Sequence, residues 1–272
     1  MTVESEIEQY YDARSKTFDD IFDVLYYRIH DLITWKYIDP YIPTDPESLV
    51  LDAGGGTGRW SIRIARKGCE VVLMDISKEM LGIAKRKVEE VGFQDRITIR
   101  KGDISKTDYS NETFDMILCE HTLFLFENPD SLIKELRRIL KKGARLVISV
   151  HNLYAQSIAT LAEKPNLTNA QKALDILHRK KYTTMTKEGR VKVYTWTPDE
   201  FREILERNGF IVEKIISKGV TMPLRISKEL FMEKKYPEDL YEKILQIELA
   251  LCEKQDAMAL AGILQAIAYK PP

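Results

Sequence analysis

A cluster of glycines near residue 55 constrains the fold of this chain more than any other feature of its sequence. The cluster follows the apolar residues Val50 and Leu51 and the acid Asp52. Without Cβ atoms the loop can turn sharply, and a ligand can approach its backbone closely. A helix is predicted to begin near Thr57, and its positive N-terminal end points at the loop. The loop residues are Gly54, Gly55, Gly56 and Gly58.

After this loop the sequence alternates between apolar strands and amphipathic helices, which is typical of a parallel sheet covered by helices on both faces. Helices are predicted at about 57–67, 77–92, 128–143 and 197–209 from their capping residues and terminal glycines. Besides the strand that enters the loop, strands are predicted at 70–75, 96–101, 114–119, 144–150, 210–216 and 263–269.

The spacing of the glycines separates two kinds of nucleotide-binding loop. A dinucleotide fingerprint needs a glycine at position 59, which is Arg, so the loop is G-x-G-x-G rather than G-x-G-x-x-G. An acid followed by G-x-G-x-G at the end of a strand resembles motif I of class I S-adenosylmethionine (SAM)-dependent methyltransferases. The resemblance implies SAM as cofactor and an α/β, doubly wound, Rossmann-like sheet of seven mostly parallel strands. Its last strand would return antiparallel to the strand before it.

Acidic residues at the ends of successive strands support the same class. Asp75 ends the second strand, where an ionised carboxylate can accept hydrogen bonds from both ribose hydroxyls. The resemblance implies that Asp103 accepts from the adenine amino group beside the N–H of Ile104, and that Glu120 lines the methionine moiety. A nicotinamide-dependent oxidoreductase would share the loop and Asp75 but would not predict Asp103. The predicted cofactor site comprises Tyr11, Arg28, Asp52, Gly54, Gly55, Gly56, Gly58, Asp75, Ile76, Met80, Asp103, Ile104 and Glu120.

The first 40 residues are predicted to form a helical cap. Aromatic and aliphatic residues recur at spacings of three and four over 7–38, which indicates two helices, and prolines at 40, 43 and 46 end them. The family resemblance implies that such helices lie over the mouth of the cofactor site. It also implies that Arg28, with a shift of register, matches the arginine that grips the cofactor carboxylate.

Composition limits the remaining function classes. The 272 residues carry a net charge of −1, which argues against a strongly basic nucleic-acid-binding surface. The three widely spaced cysteines fit neither a disulfide framework nor a zinc site, so we expect no metal and a reducing, cytoplasmic setting. No apolar run reaches the roughly 18 residues that a membrane span requires. We expect one methyltransferase domain over 1–272, with its SAM-binding half at 44–150.

Two segments, 151–197 and 218–258, exceed the minimal fold and are predicted to stand beside the substrate opening. The first contains helical patterns at 154–162 and 170–179 and a strand at 191–195, and the second contains a helix at about 237–254. Because loops at this edge carry specificity, these insertions are expected to select the acceptor.

Three stretches are similar to the bacterial transfer-RNA methyltransferases that esterify the carboxylate of 5-carboxymethoxyuridine. They are 51–80, 117–129 and 241–254. That family places a histidine after the fourth strand, where this chain has Glu120. The basic run 179–181 could contact phosphate, but a charge run is more often a solvated face. The methyl acceptor therefore remains open between a small metabolite and a tRNA wobble uridine.

The predicted chemistry is in-line attack by an oxygen or nitrogen nucleophile, including a carboxylate, on the sulfonium methyl carbon. A general base is needed only if the acceptor is protonated at the working pH. His151 and His121, at the ends of the fifth and fourth strands, and Tyr11 are the catalytic candidates. A non-catalytic SAM-binding regulator is the alternative that shares every cofactor residue.

Overall fold

The computed structural model describes residues 3–220 and 236–272, in which nine strands form one sheet. Seven strands follow the order β3-β2-β1-β4-β5-β9-β8, and the β6–β7 hairpin joins the end of β5. The strands are β1 Leu49–Ala53, β2 Glu70–Asp75, β3 Ile97–Lys101, β4 Phe114–Cys119, β5 Leu140–Asn152, β6 Lys181–Thr186, β7 Gly189–Trp196, β8 Ile211–Lys218 and β9 Ile263–Tyr269.

The pairing directions confirm the predicted Rossmann-like sheet. Strands β1 to β5 pair in parallel, and β9 runs antiparallel to both β5 and β8. Helices connect β1 to β2, β2 to β3 and β4 to β5, whereas a loop without a helix joins β3 to β4. The helices are α1 Val3–Arg14, α2 Leu25–Ile38, α3 Arg59–Ala65, α4 Lys78–Glu90, α5 Pro129–Ile139, α6 Leu153–Glu163, α7 Leu167–Arg179, α8 Pro198–Arg207 and α9 Glu238–Leu251.

Two apolar layers enclose the sheet, one on each face. Successive residues of β1 point to opposite faces, so Val50 belongs to one layer and Leu51 to the other. The first layer includes Ile33 of α2 and Ile64 of α3, and the second includes Phe201 of α8. Burial on both faces explains why the central strands read as continuous apolar runs.

The end of α5 differs from the sequence prediction. The helix ends at Ile139 rather than near Gly143, and β5 begins at once with Leu140. Leu140 is fully buried and pairs with Phe114 of β4, so sheet pairing takes the chain out of the helix before the glycine is reached. Gly143 instead takes a left-handed φ of 74° inside the long strand.

The first insertion contains a strand that its sequence pattern did not reveal. Helices α6 and α7 and strand β7 were predicted, but β6 pairs with β7 along its whole length. Its side chains alternate between exposed and half-buried, so it lacks the apolar periodicity that identifies a strand. Strand β7 pairs with His151 and Asn152 at the end of β5. The hairpin therefore extends from the sheet edge at which ligands bind in such folds.

The N-terminal cap and the second insertion follow their predictions in outline. Helices α1 and α2 are separated by short 3-10 turns at Ser15–Thr17 and Asp19–Asp23. Helix α9 is shorter than predicted, and 221–235 of the second insertion lie outside the described residues. None of the helices in 3–220 and 236–272 has the length and apolar character needed to cross a membrane.

Candidate functional site

A cavity of about 670 Å³ opens at the carboxyl edge of the parallel strands, between the glycine loop, α1, the start of α2 and the β6–β7 hairpin. Its volume lies within the range of about 300–1,000 Å³ that is usual for ligand pockets. Arg28 and Gly58 are not part of its wall. The predicted residues that line it are Tyr11, Asp52, Gly54, Gly55, Gly56, Asp75, Ile76, Met80, Asp103, Ile104, Glu120, His121 and His151.

The glycine loop is shaped by neighbours that leave no room for side chains. Gly54 has a φ of +78°, and a Cβ there would lie 2.3 Å from Thr122 Oγ1. Gly58 has a φ of +80° and packs under α3, where a Cβ would meet Leu73 Cδ1 at 3.1 Å. Gly56 differs, because a Cβ would meet nothing within 4 Å although φ is +52°. Gly56 therefore faces open space in the cavity, where a ligand can approach the backbone.

Asp75 accepts backbone hydrogen bonds from the glycine loop and from the residue that precedes α4. The N–H of Gly56 donates to its Oδ2 at 2.9 Å, and the N–H of Ser77 donates to its Oδ1 at 2.8 Å. Burial raises the pKa of the Asp75 carboxyl, and these backbone hydrogen bonds oppose the rise. The carboxylate thereby ties the glycine loop to the start of α4 while it lines the cavity.

Asp52 lies beneath the loop and is 2% exposed. The Ser61 hydroxyl donates to its Oδ2 at 2.6 Å, and a Cβ on Gly55 would touch the carboxyl carbon at 2.8 Å. Burial raises the pKa of the Asp52 carboxyl to about 7, and the Ser61 hydrogen bond opposes the rise. Asp52 therefore supports the loop and accepts a proton near neutral pH.

Residues after β2 and β3 line the part of the cavity next to Asp75. The Ser105 N–H and hydroxyl both donate to Asp103 Oδ1 at 2.8 Å, which fixes that carboxylate at the strand end. Ile76, Met80 and Ile104 supply apolar surface around it, and Met80 and Ile104 are buried. An apolar slot beside an oriented carboxylate suits a flat base that carries an amino group.

Helix α1 crosses the cavity and is tied to the start of α4. Asp12 Oδ1 accepts from the Ser77 hydroxyl at 2.5 Å and from the Glu79 N–H at 3.1 Å. The neighbouring Tyr11 makes edge-to-face contact with Phe18 at a centroid distance of 6.2 Å. Burial, Tyr10 and Asp75 together raise the pKa of Tyr11, so this phenol is neutral at physiological pH.

Glu120 belongs to a buried polar network that the sequence did not reveal. Lys218 at the end of β8 is 0% exposed, and its ammonium donates to Glu120 Oε2, Thr34 Oγ1 and Gln265 Oε1 at 2.7–2.9 Å. Burial lowers the pKa of Lys218 and the nearby Glu120 raises it. Glu120 Oε1 is buried without a hydrogen-bond partner in the described part of the chain. The only sequence signal was a lysine at the end of an apolar strand.

Three of the four histidines in the sequence line the cavity. His121 and His151 were predicted, and His30 on α2 was missed because a single histidine on a mostly buried helix resembles a core residue. The His30 and His121 rings lie 4.9 Å apart, and His151 Nδ1 is 2.9 Å from the Tyr182 hydroxyl. Burial, followed by nearby Lys218, holds the pKa values of His30 and His121 well below the usual value.

Arg28 points away from the cavity, which differs from the role suggested by its sequence position. Its guanidinium donates to the Tyr236 hydroxyl at 2.6 Å and lies over the Tyr241 ring at 4.9 Å. The arginines in the cavity wall are Arg14 and Arg59. Arg59 forms an ion pair with Asp31, and burial lowers its pKa to about 10. The face of α2 that carries Arg28 therefore packs against α9 and the residue Tyr236 before it.

This sheet order, with a glycine loop after β1 and acids after β2 and β3, defines the class I methyltransferase fold. The family model described as "Methyltransferase domain" matches residues 44–209, which is more than half of the chain. The chain belongs to this methyltransferase family, and its cofactor is SAM. The predicted class of enzyme and its cofactor are therefore confirmed.

Individual relatives cover nearly the whole chain. The tRNA 5-carboxymethoxyuridine methyltransferase of Escherichia coli (strain K12) is 24% identical over 266 residues, covering 96% of this chain and 95% of that protein. The structure of the [4+2]-cyclase SpnF has a TM-score of 0.65 at 18% identity, covering 100% of this chain and 97% of that chain. A SAM-dependent methyltransferase from Mesorhizobium loti has a TM-score of 0.57 at 18% identity, covering 87% and 97%. At these identities the solved structures show the fold alone.

Proposed function

We propose that this methyltransferase moves the methyl group of SAM to an oxygen or nitrogen nucleophile of a small molecule. The observation that carries the proposal is the composition of the cavity wall. One continuous wall contains Asp75 and Asp103, which were predicted to bind the cofactor, the histidines His121 and His151, and Tyr182 from the first insertion. A cavity of about 670 Å³ has room for a cofactor and a compact acceptor side by side.

Each part of SAM has a matching group in the cavity. Asp75 would accept from the ribose hydroxyls, and Asp103 with Ile104 would hold the adenine ring. The open surface over Gly56 would admit the methionine part close to the backbone. Glu120 Oε1, which lacks a partner among the described residues, would accept from the ammonium group. A hydrogen bond between a charged donor and a charged acceptor is among the stronger hydrogen bonds in proteins.

The chain contributes mainly by position. When bound, SAM supplies a methyl group already activated by the sulfonium charge. Helix α1 and the histidine wall would exclude water and hold the acceptor in line with that methyl group. Holding two reactants at near-attack geometry supplies about 7–11 kcal/mol of the barrier reduction, so a base is required only for a protonated acceptor.

A tRNA acceptor is the second candidate, because the Escherichia coli relative aligns over 96% of the chain. The basic run 179–181 gives it limited support. Lys180 forms an ion pair with Glu200, and Lys181 lies 3.4 Å from Glu127, so both charges are partly neutralised. Phosphate binding depends on uncompensated positive charge. These contacts favour the small molecule.

Incubation of the purified chain with methyl-labelled SAM and two cell fractions tests the proposal. One fraction contains small molecules below about 3 kDa and the other contains total tRNA. We expect the label in the small-molecule fraction. Label in tRNA that nuclease digestion releases as a modified nucleoside would replace the small-molecule proposal with the second candidate. Calorimetric binding of SAM without transfer to either fraction would indicate a regulator.

A further inference from the structure

The cavity wall around His121 is built from uncharged imidazoles and a buried ion pair. His30 is 2% exposed, and among residues 3–220 and 236–272 neither of its ring nitrogens has a hydrogen-bond partner. Its Nδ1 lies 3.9 Å from Asp31 Oδ1, too far for a hydrogen bond. A buried polar side chain without a partner is destabilising and is rare in native proteins, and a catalytic or ligand-binding role is one of the reasons for which it is kept.

His121 occupies an unusual backbone position beside this group. It follows Glu120 directly and has a left-handed φ of 56°, which few residues other than glycine and asparagine adopt. Its N–H donates to the Ser149 hydroxyl at 2.9 Å, which fixes the backbone. The ring contacts His30 at 4.9 Å and Phe124 at 6.3 Å between centroids, and it lines the cavity. The fold therefore holds an uncharged imidazole next to the proposed methionine site.

Aromatic side chains form much of the remaining wall. Several of them contact one another edge to face, as in the pairs Tyr11–Phe18 and Phe18–Phe22. Such a wall offers ring faces and edges to a flat ligand, and favourable aromatic pairs stabilise binding beyond simple burial. The aromatic residues of the wall include Tyr10, Tyr11, Phe18, Phe22, Tyr26 and Phe124.

We propose that the acceptor is an aromatic compound with a hydroxyl group, and that the His121 imidazole is the catalytic residue that receives the hydroxyl proton. This inference rests on the proposed function and specifies its acceptor. A phenol has a pKa near 10 and is protonated at neutral pH. Its transfer therefore needs a proton acceptor, whereas transfer to a carboxylate does not.

The proton and electron balance of the step is simple. A lone pair of the acceptor oxygen forms the new bond to the methyl carbon, and the carbon–sulfur bond breaks with its electron pair going to sulfur. The hydroxyl proton passes to the unprotonated ring nitrogen of His121, which later releases it to solvent. The products are the methyl ether, S-adenosylhomocysteine and one proton, and no oxidant or reductant is consumed.

The charges in the wall suit this step. Before transfer, the positive charge lies on the sulfonium, and the imidazoles of His121 and His30 are neutral because burial and Lys218 lower their pKa values. After transfer, sulfur is neutral and the positive charge lies on His121, so the net charge of the cavity is unchanged. An oxygen bonded to both a methyl group and a proton is far more acidic than an imidazolium ion. A histidine with a lowered pKa is therefore a sufficient base.

The variant His121→Asn tests proton transfer by itself, because it removes the proton acceptor while keeping the backbone conformation. Asparagine tolerates a left-handed φ and keeps a donor and an acceptor, but it cannot take a proton at neutral pH. His178→Asn on the exposed end of α7 is the matched control, because His178 is the histidine of this chain outside the cavity wall. Calorimetry with SAM and a melting curve establish that each variant is folded and binds the cofactor.

Phenol, toluene and benzoate are the probes. Calorimetry on the complex with S-adenosylhomocysteine should show tighter binding of phenol than of toluene, in the wild type and in His121→Asn. Labelled SAM should methylate phenol, and His121→Asn should reduce that rate by about 10²–10⁴-fold, the usual contribution of a general base. His178→Asn should retain the wild-type rate. In His121→Gly, added imidazole should restore part of the lost rate.

Several results would overturn the inference. A His121→Asn variant that methylates phenol at the wild-type rate would exclude His121 as the proton acceptor. Methylation of benzoate alone would exclude the aromatic hydroxyl while leaving the proposed transfer to a small-molecule oxygen intact. A wild type that binds SAM but neither binds nor methylates phenol also contradicts the inference. Label found only in tRNA would contradict the proposed function itself.

Discussion

At the scale of single residues, the Asp75 side chain orders the glycine loop and is also proposed to bind the ribose of SAM. Its carboxylate accepts hydrogen bonds from the N–H groups of Gly56 and Ser77. Each carboxylate oxygen has two lone pairs, so both oxygens can still accept a ribose hydroxyl. The residue that is proposed to bind the ribose is therefore also the residue that orders the loop around it.

We predict that Asp75→Ala raises the dissociation constant for SAM by about ten- to hundredfold, because hydrogen bonds to a charged group contribute about 1.5–3 kcal/mol. Isothermal calorimetry measures the change. Asp108→Ala is the control, since Asp108 is an exposed acid near β3 outside the cavity wall. An unchanged constant in folded Asp75→Ala would remove this residue from the proposed site.

Asp52 predicts a specific dependence of stability on pH. Burial raises its pKa from the ordinary 3.8 to about 7, so the folded protein binds this proton more tightly than the unfolded chain. The stabilisation is complete below the unfolded pKa and is lost as the pH rises through the folded pKa. Asp52→Asn carries no charge to bury, and its amide oxygen can still accept from Ser61.

We subtract the free energy of unfolding of the wild type from that of Asp52→Asn, and we expect this difference to be larger at pH 8 than at pH 5. The increase between the two pH values should be a few kcal/mol at most, since each pKa unit corresponds to about 1.4 kcal/mol. Urea unfolding of both proteins at the two pH values measures it. Equal differences at pH 5 and pH 8 would contradict the raised pKa.

At the scale of elements, the glycine loop combines left-handed backbone angles with open space over Gly56. Gly56→Val should abolish detectable SAM binding, because the side chain would enter the cavity from a φ of +52°. Gly143→Val is the matched control, with a φ of +74°, no atom within 4 Å of its Cβ and a position outside the cavity. Both variants should melt at lower temperature, and the control should bind SAM normally. Normal binding by Gly56→Val would refute the proposed path of the cofactor.

From the contact between α1 and α4 we predict an effect on the rate at which SAM dissociates. Asp12 accepts from Ser77 and Glu79 at the start of α4, and this contact holds α1 across the cavity. Asp12→Ala should weaken SAM binding by about three- to tenfold, through the loss of charge-assisted hydrogen bonds at a partly exposed site. Stopped-flow measurement should show faster dissociation. Asp20→Ala, at an exposed acid of the same region, should leave the dissociation rate unchanged.

At the scale of the whole molecule, the first insertion supplies one side of the cavity. Tyr182, Thr184, Val191 and Val193 all line it, and Val191 and Val193 pack against Tyr10 of α1. We propose that 151–197 forms the acceptor side of a single methyltransferase domain. The described residues of 218–258, which were also expected to stand beside the substrate opening, are not part of the cavity wall. Two residues of the basic run in 151–197, Lys180 and Lys181, form ion pairs within the chain.

Replacement of residues 166–192 by a short glycine-serine linker tests this role. SAM affinity should stay within about threefold, because the proposed cofactor contacts at Asp75, Asp103 and the glycine loop lie outside this segment. Transfer to the acceptor should be lost with the positioning wall. Stability should fall, since Ala173, Ile176 and Val191 are buried, and circular dichroism with a melting curve checks folding. A folded replacement that transfers at the normal rate would direct attention to 218–258.

The sequence determined the features that depend on local spacing. Four glycines after an apolar strand predicted the cofactor loop, because only glycine combines left-handed φ angles with close contacts such as that of Gly54 with Thr122. Apolar runs separated by capped helices predicted the parallel sheet, because burial on two faces leaves a strong pattern. The antiparallel direction of the last strand followed only from the family resemblance. Strand-end acids then indicated the cofactor class, since such strands share one edge.

The tertiary structure alone decided which distant side chains share the cavity. Lys218 pairs with Glu120 across 98 residues of sequence, and the ring of His30 on α2 lies against the ring of His121 after β4. Arg28 lies on the same helix as His30 but faces α9. The two residues differ by less than one helical turn, so a sequence pattern without the packing of α2 could not separate them. The side of a helix that packs against the sheet determines where its other side chains point, and this packing exists only in the folded chain.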